Sequence, residues 1–368
     1  FVANDAILST AGSLEMVIGG NLDINDNVTA AADITGRTAG TIDIDGTVLG
    51  GNAVTLAAGT DFNLNSGSIT GLNVDLGAAA GGVAGDLTLD GTVEGYESVL
   101  LYGANVYMND DVTAGIGGLD VRGLADVLIA AGAPVEAMGD IKVVAGGEFE
   151  VGDTLTSTDG SLEVTAGEID IDAAVSIAKD IDGYASGAVT IDADVAAGKD
   201  LTLVAGTTFD LDSGSIYGLN VGLGADGGDL DLNGPVTGVV SALLYGTNVE
   251  VDGVLTAGID GLEIRALTNL TNTAAMNVMG DAVVVAGGLF DMDAAFTSSA
   301  GSIEVTAGAV DADAALSADQ ALYVEGGTID LDAAVSAGTD MTLVSTTGAI
   351  TAGAAAAAPI TAGGNIDV

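Results

Sequence analysis

The chain lacks cysteine, histidine and tryptophan altogether, and only six of its 368 residues are lysine or arginine. Without cysteine it forms no disulfide and presents no thiol nucleophile, and without histidine it lacks the commonest general base. The six basic residues form no stripe, which excludes nucleic-acid binding. They face 53 acidic residues, giving a net charge of −47 that disfavours anionic membranes. The compatible partners are cations, basic proteins and neutral glycans.

Aromatic residues and proline are also scarce, at 4 % and three residues, whereas glycine occurs 57 times. The hydrophobic residues are mostly small and aliphatic, which favours a thin core over a thick globular one. Their regular distribution argues against disorder. The charge-free run from Met341 to Ile366 contains glycine, threonine, serine and proline, so we predict no membrane insertion there. We expect further repeats and an alanine-rich loop in that run.

Short segments of alternating aliphatic and acidic residues recur about every 20 residues, as in EIDIDAAVS at Glu168 and TIDLDAAVSAG at Thr328. In SLEVTAGEIDIDAAVSIAK (Ser161 to Lys179), three short segments of period two are separated by small-residue corners. No segment has sustained helical periodicity. The sequence therefore predicts an all-β right-handed parallel β-helix, or β-solenoid, of about 18 coils of about 20 residues, with three short strands per coil.

A longer repeat of seven coils is superimposed on the short one. GTDFNLNSGSITGLNVDLGA at Gly59 returns as GTTFDLDSGSIYGLNVGLGA at Gly206. We predict one continuous solenoid over residues 1–368, with super-repeats and a partial third copy at about 41–189, 190–327 and 328–368. The glycine-rich stretch Gly77 to Asp86 is interpreted as an insertion at a corner. Both ends read as ordinary coil sequence, which is compatible with a fragment of a longer protein or with a subunit that stacks end to end.

Coils written GSLEVTAGEIDIDAAVS resemble the haemagglutinin-type repeats of filamentous, two-partner-secreted adhesins and autotransporter passengers. The resemblance covers nearly the whole chain and is one of sequence texture. It implies a right-handed parallel β-helix that is secreted to the bacterial surface. We therefore expect an extracellular, non-enzymatic structural protein that forms a surface filament, sheath or surface layer through end-to-end or lateral self-association.

Two other functions stay open at this point. The first is an adhesin stalk that contacts glycans or other surface proteins. The second, more remote, is a polysaccharide-active enzyme, because some lyases and hydrolases use this fold. Fold alone does not confer that activity, and the basic residues are scattered singly. We therefore predict no enzymatic activity, no catalytic residue and no cofactor-binding residue.

Aspartates occur in pairs two residues apart, which in a strand places both carboxylates on one side, about 7 Å apart. The motif recurs in most coils, whereas an active site occupies one place. Aligning the motifs predicts an outward column of residues stacked coil on coil: Asp23, Asp43, Asn63, Thr88, Tyr107, Asp126, Glu150, Asp170, Asp192, Asp210, Asp231, Glu250, Asn269, Asp291, Asp311 and Asp330.

Carboxylates stacked about 4.8 Å apart repel one another by roughly 0.9 kcal/mol even in water. Ca²⁺ between coils would relieve that repulsion, and a hydrated acidic face screened by salt is the alternative. The cluster LDINDN also resembles a calcium-binding linker, although a turn rich in Asn and Asp explains it equally well. The candidate calcium ligands are Asp23, Asn25, Asp26, Asp170, Asp172, Asp192, Asp194, Asp210 and Asp212.

Two tyrosines occupy equivalent positions in the super-repeats. Tyr102 lies in LLYGANV and Tyr245 in LLYGTNV. An exposed tyrosine ring on a β-helix can stack on a sugar, and it can also pack under a corner of the coil. The sequence thus predicts Tyr102 and Tyr245 as candidate glycan-binding residues and leaves the packing role as the alternative.

Overall fold

The computed structural model describes residues 1–78, 85–353 and 359–368, and it is built from short parallel β-strands. None of the described residues lies in a helix. The predicted all-β parallel β-solenoid is confirmed, with about 17 turns of about 20 residues. The sequence estimate of about 18 was slightly high because some coils are longer, and corner contacts reach across 25 residues at Asp61 and at Asp340.

Two compact units divide the chain, Phe1–Ala185 (unit 1) and Ser186–Val368 (unit 2). The strands of unit 1 are β1 Val2–Ala3, β2 Ile7–Ser9, β3 Leu14–Ile18, β4 Leu22–Ile24, β5 Val28–Ala30, β6 Ile34–Thr38, β7 Ile42–Ile44, β8 Thr47–Gly50, β9 Ala53–Ala58, β10 Phe62–Leu64, β11 Ser68–Ala78, β12 Leu87–Leu89, β13 Thr92–Gly103, β14 Val106–Met108, β15 Val112–Ala114, β16 Gly118–Gly123, β17 Val127–Ile129, β18 Val135–Ala137, β19 Ile141–Ala145, β20 Glu148–Val151, β21 Leu155–Ser157, β22 Leu162–Ala166, β23 Glu168–Ile171, β24 Val175–Ile177 and β25 Ile181–Ala185.

Unit 2 has the same construction. Its strands are β26 Val189–Ile191, β27 Val195–Ala197, β28 Leu201–Ala205, β29 Phe209–Leu211, β30 Ile216–Ala225, β31 Leu230–Leu232, β32 Val236–Gly246, β33 Val249–Val251, β34 Leu255–Ala257, β35 Gly261–Ala266, β36 Leu270–Asn272, β37 Met276–Val278, β38 Ala282–Met292, β39 Phe296–Ser298, β40 Ile303–Ala312, β41 Leu316–Ala318, β42 Leu322–Gly326, β43 Ile329–Leu331, β44 Val335–Ala337, β45 Met341–Ser345, β46 Ile350–Ala352, β47 Ile360–Ala362 and β48 Ile366–Asp367.

Each coil contributes three strands, as predicted. In the coil that begins at Ser161, the first, second and third strands are β22, β23 and β24. Each pairs in parallel with the equivalent strand of the preceding coil, as β23 does with β20. We call the outer surfaces formed by these stacks the first-strand, second-strand and third-strand faces. Some strands, such as β11 and β32, run through a corner and serve two faces.

Along each strand, alternate residues point inward, and these inward residues form the core. In β7, Ile42 and Ile44 are fully buried while Asp43 between them is half-buried. Burying one such aliphatic side chain contributes roughly 1.5–3 kcal/mol relative to its exposed state. Five of the six phenylalanines are buried in the interior of their own unit: Phe62 and Phe149 in unit 1, and Phe209, Phe290 and Phe296 in unit 2. Phenylalanine is therefore mainly a core residue in this chain, whereas none of the tyrosines is in the core.

Tight corners explain part of the glycine content. Gly67 in unit 1 and Gly214 in unit 2 have φ angles of 81° and 77°. That left-handed region disfavours any residue with a Cβ. A Cβ at Gly67 would also lie 2.3 Å from the carbonyl oxygen of Gly46 in the preceding coil. Each position therefore requires glycine for two independent reasons.

The glycine-rich insertion and the alanine-rich loop interpreted from the sequence involve residues 79–84 and 354–358, which lie outside the described residues. The handedness and the division into super-repeats stay predictions. Nowhere in the described parts of the chain is there a helix long and apolar enough to cross a membrane.

Candidate functional site

The second-strand face carries the acidic column. Paired strands place its outward residues directly over one another, coil after coil. In unit 1 the column is Asp23, Asp43, Asn63, Thr88, Tyr107, Leu128, Glu150 and Asp170. In unit 2 it is Thr190, Asp210, Asp231, Glu250, Thr271, Asp291, Asp311, Asp330 and Thr351.

Three members of the predicted column were wrong. The register places Leu128, Thr190 and Thr271 where the alignment had placed Asp126, Asp192 and Asn269. Each error is a shift of two residues. Because side chains along a strand alternate with a period of two, such a shift preserves the alternation of aliphatic and polar residues and cannot be detected from the sequence pattern.

Asp126 and Asn269 belong to a different structure that sequence reasoning missed. Both lie immediately before a second strand, and their side-chain oxygens accept the backbone N–H of the next coil. The bonds are from Glu148 N to Asp126 Oδ1 (3.0 Å) and from Leu289 N to Asn269 Oδ1 (2.9 Å). We call this stack of Asn and Asp side chains the Asx ladder. It satisfies backbone donors at a corner where the strand pairing is interrupted.

The ladder extends over several consecutive coils of each unit. In unit 1 it runs Asp61, Asp86, Asn105 and Asp126, with bonds of 3.1–3.2 Å to the next backbone nitrogen. In unit 2 it runs Asp229, Asn248 and Asn269. The available signal was an Asn or Asp directly before the second strand of these coils, as at Asp229 before Leu230–Leu232. Part of the acid excess therefore has a structural role.

The aspartate pairs do not form the predicted two-carboxylate strand. Asp170 lies within β23 and is half-buried, whereas Asp172 lies after the end of the strand and is exposed. In the same way, Asp210 lies within β29 and Asp212 lies after its end. Asp192 lies after the end of β26. The expectation that both carboxylates lie on one strand was wrong, because the second strand ends before the second aspartate.

The remaining candidate calcium ligands are engaged in contacts of their own. The Asn25 amide donates to Asn4 Oδ1 at 2.8 Å, and Asp26 Oδ1 accepts the backbone N–H of Asn27 at 2.7 Å. Asp194 Oδ1 accepts the hydroxyl of Ser215 at 2.7 Å. Within the described ranges, no group of three or more acidic side chains is arranged to hold a metal ion. Calcium binding stays a prediction.

Burial and like charge perturb the acidic column most strongly at its centre in unit 2. The pKa of Asp231 is raised to about 6, first by burial and then by Glu250 and Asp210. Its Oδ1 is buried and has no hydrogen-bond partner. Burial and neighbouring carboxylates also raise the pKa values of Asp210, Asp291, Asp311 and Glu150. Around Asp231 the column is thus a strip of mutually repelling carboxylates.

The first-strand face carries the tyrosines. In unit 2, Tyr245 lies on β32 and pairs with Gly224 of the preceding coil. A Cβ on Gly224 would come within 2.0 Å of the Tyr245 ring, so the ring covers that glycine. Burial raises the pKa of Tyr245, as does the neighbouring carboxylate of Asp226, which accepts a hydrogen bond from the phenol.

A groove of about 440 Å³ opens beside Tyr245. The next coil places Arg265 in register with Tyr245, and Arg265 forms an ion pair with Glu263. Leu267, which also lines the groove, is 75 % exposed. The groove therefore combines an aromatic ring, a cation, carboxylates and exposed apolar surface.

Unit 1 repeats the arrangement. The Tyr102 ring covers Gly77, and Arg122 follows in register on the next coil. Arg122 bonds Asp120 at 2.6 Å, and Leu124 is 74 % exposed. Burial and then Asp75 raise the pKa of Tyr102. Both predicted tyrosines are thus half-buried on a strand, and the structure leaves their glycan-binding role a prediction. The covered glycines were missed, although each precedes its tyrosine by about one coil.

The third-strand face differs from both others, especially in unit 2. Paired strands stack nine outward residues there, and none is charged: Ala196, Tyr217, Thr237, Thr256, Asn277, Thr297, Ser317, Ser336 and Thr361. In unit 1 the equivalent stack includes Glu94 and Glu136. The charge of unit 2 is therefore concentrated away from this face, which we call the neutral face.

Comparison with known protein families, with curated proteins and with solved structures finds no match to this chain.

Proposed function

We propose that the chain is a non-enzymatic structural repeat protein, secreted to the cell surface, where it forms a β-solenoid segment of a filament, sheath or surface layer. The observation that carries this proposal is the uniform parallel pairing of one coil with the next. β23 on β20 and β43 on β40 use the same register of an inward-outward-inward triplet. A wall built in this way offers each additional coil the same backbone donors and acceptors.

The distribution of polar residues supports a structural role. Asn and Asp side chains recur at the same corner of successive coils, where their oxygens accept backbone N–H groups of the next coil. The high negative charge favours solubility of a repetitive β protein. The resemblance to filamentous haemagglutinin and autotransporter passengers supports the surface location and the end-to-end association within this proposal.

Electron microscopy of the purified full chain tests the proposal, with and without added calcium. We expect fibres or sheets whose repeat along the long axis is about 4.8 Å by diffraction, the spacing of stacked strands. Monodisperse particles without fibres in every buffer would contradict it.

The groove beside Tyr245 favours a second candidate function, the binding of glycans by an adhesin stalk. An aromatic ring supplies a stacking surface, and the adjoining Arg265 and Glu263 supply a donor and an acceptor for sugar hydroxyls. A glycan array probed with the full chain tests it. Binding lost in Tyr245→Ala and retained in Tyr96→Ala, an exposed tyrosine outside this arrangement, would support the adhesin role.

A further inference from the structure

The neutral face of unit 2 is unusual on a chain with 53 acidic residues. Its hydroxyl-rich stack continues into an exposed apolar corner. Four consecutive coils place an apolar residue after the third strand, and these residues are 36–69 % exposed: Leu219, Val239, Ile259 and Met279. The corner before the third strand adds Pro235 and the 46 % exposed Val254. Over these four coils the uncharged surface is therefore several residues wide, with the exposed Asp260 and Asp281 along its border, and in a later coil Asp319 follows the third strand.

A shallow groove of about 400 Å³ runs along this surface. Thr237, Thr256 and Asn277 line its floor, and Val239 and Met279 form its edge. All of its lining residues are uncharged. The surface thus offers hydroxyl groups, an amide and apolar side chains in one strip.

Charge identifies the partner that fits this strip. A second copy of the chain carries the same net charge of −47, so most of its surface repels the first copy. Contact through the second-strand face would bring the column of Asp210, Asp231 and Glu250 against its equivalent. Contact through the neutral face brings no carboxylate column together. Hydroxyl groups both donate and accept, so the face is also complementary to itself.

The area is sufficient for a weak but specific interface. Nine stacked strands at about 4.8 Å span about 38 Å, and five residues at about 3.3 Å span about 16 Å. That gives about 600 Å² per copy and about 1,200 Å² for the pair, which is the lower end of the range for specific protein interfaces. We infer that the neutral face of unit 2 is the lateral contact between two copies of this chain. This inference rests on the proposed structural function and names the surface that it uses.

Unit 1 supplies the substitutions that test the inference. The segment TVEGYESVLLYG (92–103) is equivalent to PVTGVVSALLYG (235–246), so Glu94 stands where unit 2 has Thr237. Glu136 stands in the same way where unit 2 has Asn277. The fold accepts glutamate at both positions in unit 1. The double variant Thr237→Glu/Asn277→Glu therefore charges the neutral face with residues that this coil geometry accommodates.

The matched control is Thr202→Glu/Thr342→Glu. It adds the same two charges to unit 2, but on the first-strand face. Circular dichroism and urea unfolding verify that both variants fold. Sedimentation velocity of the full chain then measures association over a range of protein and salt concentrations.

We expect the wild-type chain and the control to dimerise, more tightly as added salt screens the remaining carboxylates. The double variant on the neutral face should raise the dimer dissociation constant about tenfold or more. Equal dimerisation of both variants, or a wild-type chain that is monomeric at high salt and high concentration, would overturn the inference. So would a monomeric chain whose neutral face binds a neutral polysaccharide and loses that binding in the double variant.

Electron microscopy of the same samples separates this inference from the proposed function. Fibres that form equally, at the same width, in the wild type and in the neutral-face variant would contradict the lateral contact and leave the structural function standing. Absence of fibres from all samples would contradict the structural function itself.

Discussion

The carboxylate of Asp126 accepts the backbone N–H of Glu148, one coil further along, at 3.0 Å. This contact explains why an exposed acidic residue recurs just before the second strand. The carboxylate completes the hydrogen bonding of the wall at a corner where strand pairing stops. The acid is needed there for its oxygen, and its charge is incidental.

Replacing the oxygen should therefore matter more than replacing the charge. Asp126→Ala is expected to lower the free energy of unfolding by about 1 kcal/mol, the net value of one such hydrogen bond. Asp126→Asn keeps an acceptor oxygen and should stay close to wild type. Urea unfolding followed by circular dichroism measures both. Equal losses in the two variants would show that charge is what the position requires.

The stability of unit 2 should depend on pH through Asp231. Its pKa is about 6 in the folded chain against 3.8 for an ordinary aspartate, so the folded state binds the proton more readily. The folded unit therefore becomes more stable as pH falls from above 6 towards 4 and Asp231 takes up its proton. Above about 6 the carboxylate is ionised and destabilises the folded unit by the full amount. Solvent screens this half-exposed carboxylate, so we take about 1 kcal/mol of destabilisation and expect Asp231→Asn to raise Tm at pH 8 by about 2–4 °C in a unit of this size.

The same substitution should have little effect at pH 4, where Asp231 is largely protonated. Asp260→Asn, an exposed aspartate outside the column, controls for the change in net charge. Thermal unfolding at both pH values is the measurement. A gain from Asp231→Asn that is the same at pH 4 and pH 8 would contradict the assignment.

Gly224 and Gly222 form a matched pair for testing the tyrosine face. A Cβ at Gly224 would lie 2.0 Å from the Tyr245 ring, whereas at Gly222 the nearest atom, Thr202 Oγ1, is 3.7 Å away. Gly224→Ala should displace the ring and change its ultraviolet circular dichroism, and Gly222→Ala should not. If the adhesin role holds, glycan binding falls about tenfold or more in Gly224→Ala alone. Unchanged binding in that variant would remove Tyr245 from the site.

Calcium binding by the acidic column predicts a response to chelation. Removing a bound ion at fixed ionic strength should lower Tm by several degrees, because binding to the folded state stabilises it by mass action. Asp210→Asn/Asp212→Asn should abolish that difference in unit 2. Identical melting with chelator and with calcium would leave the column as a hydrated face screened by ordinary salt.

The sequence predicted the solenoid well because its signal is repeated many times. The inward-outward-inward triplet is present in Ile42, Asp43 and Ile44, and equivalent triplets recur in the paired strands of neighbouring coils. The register of the acidic column was less predictable. A shift of two residues, as at Asp192 for Thr190, keeps every apolar residue on the same side, so only the strand pairing distinguishes the alternatives.

The sequence predicted the two tyrosines of these sites but not the residues that they contact. Tyr102 and Tyr245 stood out because their surroundings are copied, but their contacts lie one coil away in space and about 20 residues away in the chain. The neutral face was missed for a similar reason. Thr237 and Asn277 are unremarkable singly, and only stacking reveals an uncharged strip.

Parallel pairing between coils also determines how either unit responds to force. The bonds that join β23 to β20 run from coil to coil, so pulling a coil away from its neighbour loads few of them at a time. Coils should then detach one after another, each releasing about 20 residues, or about 65 Å of extended chain. Such a solenoid should extend under load in small, equal steps. It should shorten again as each coil pairs with its neighbour once more, which is the mechanical behaviour of a shock absorber.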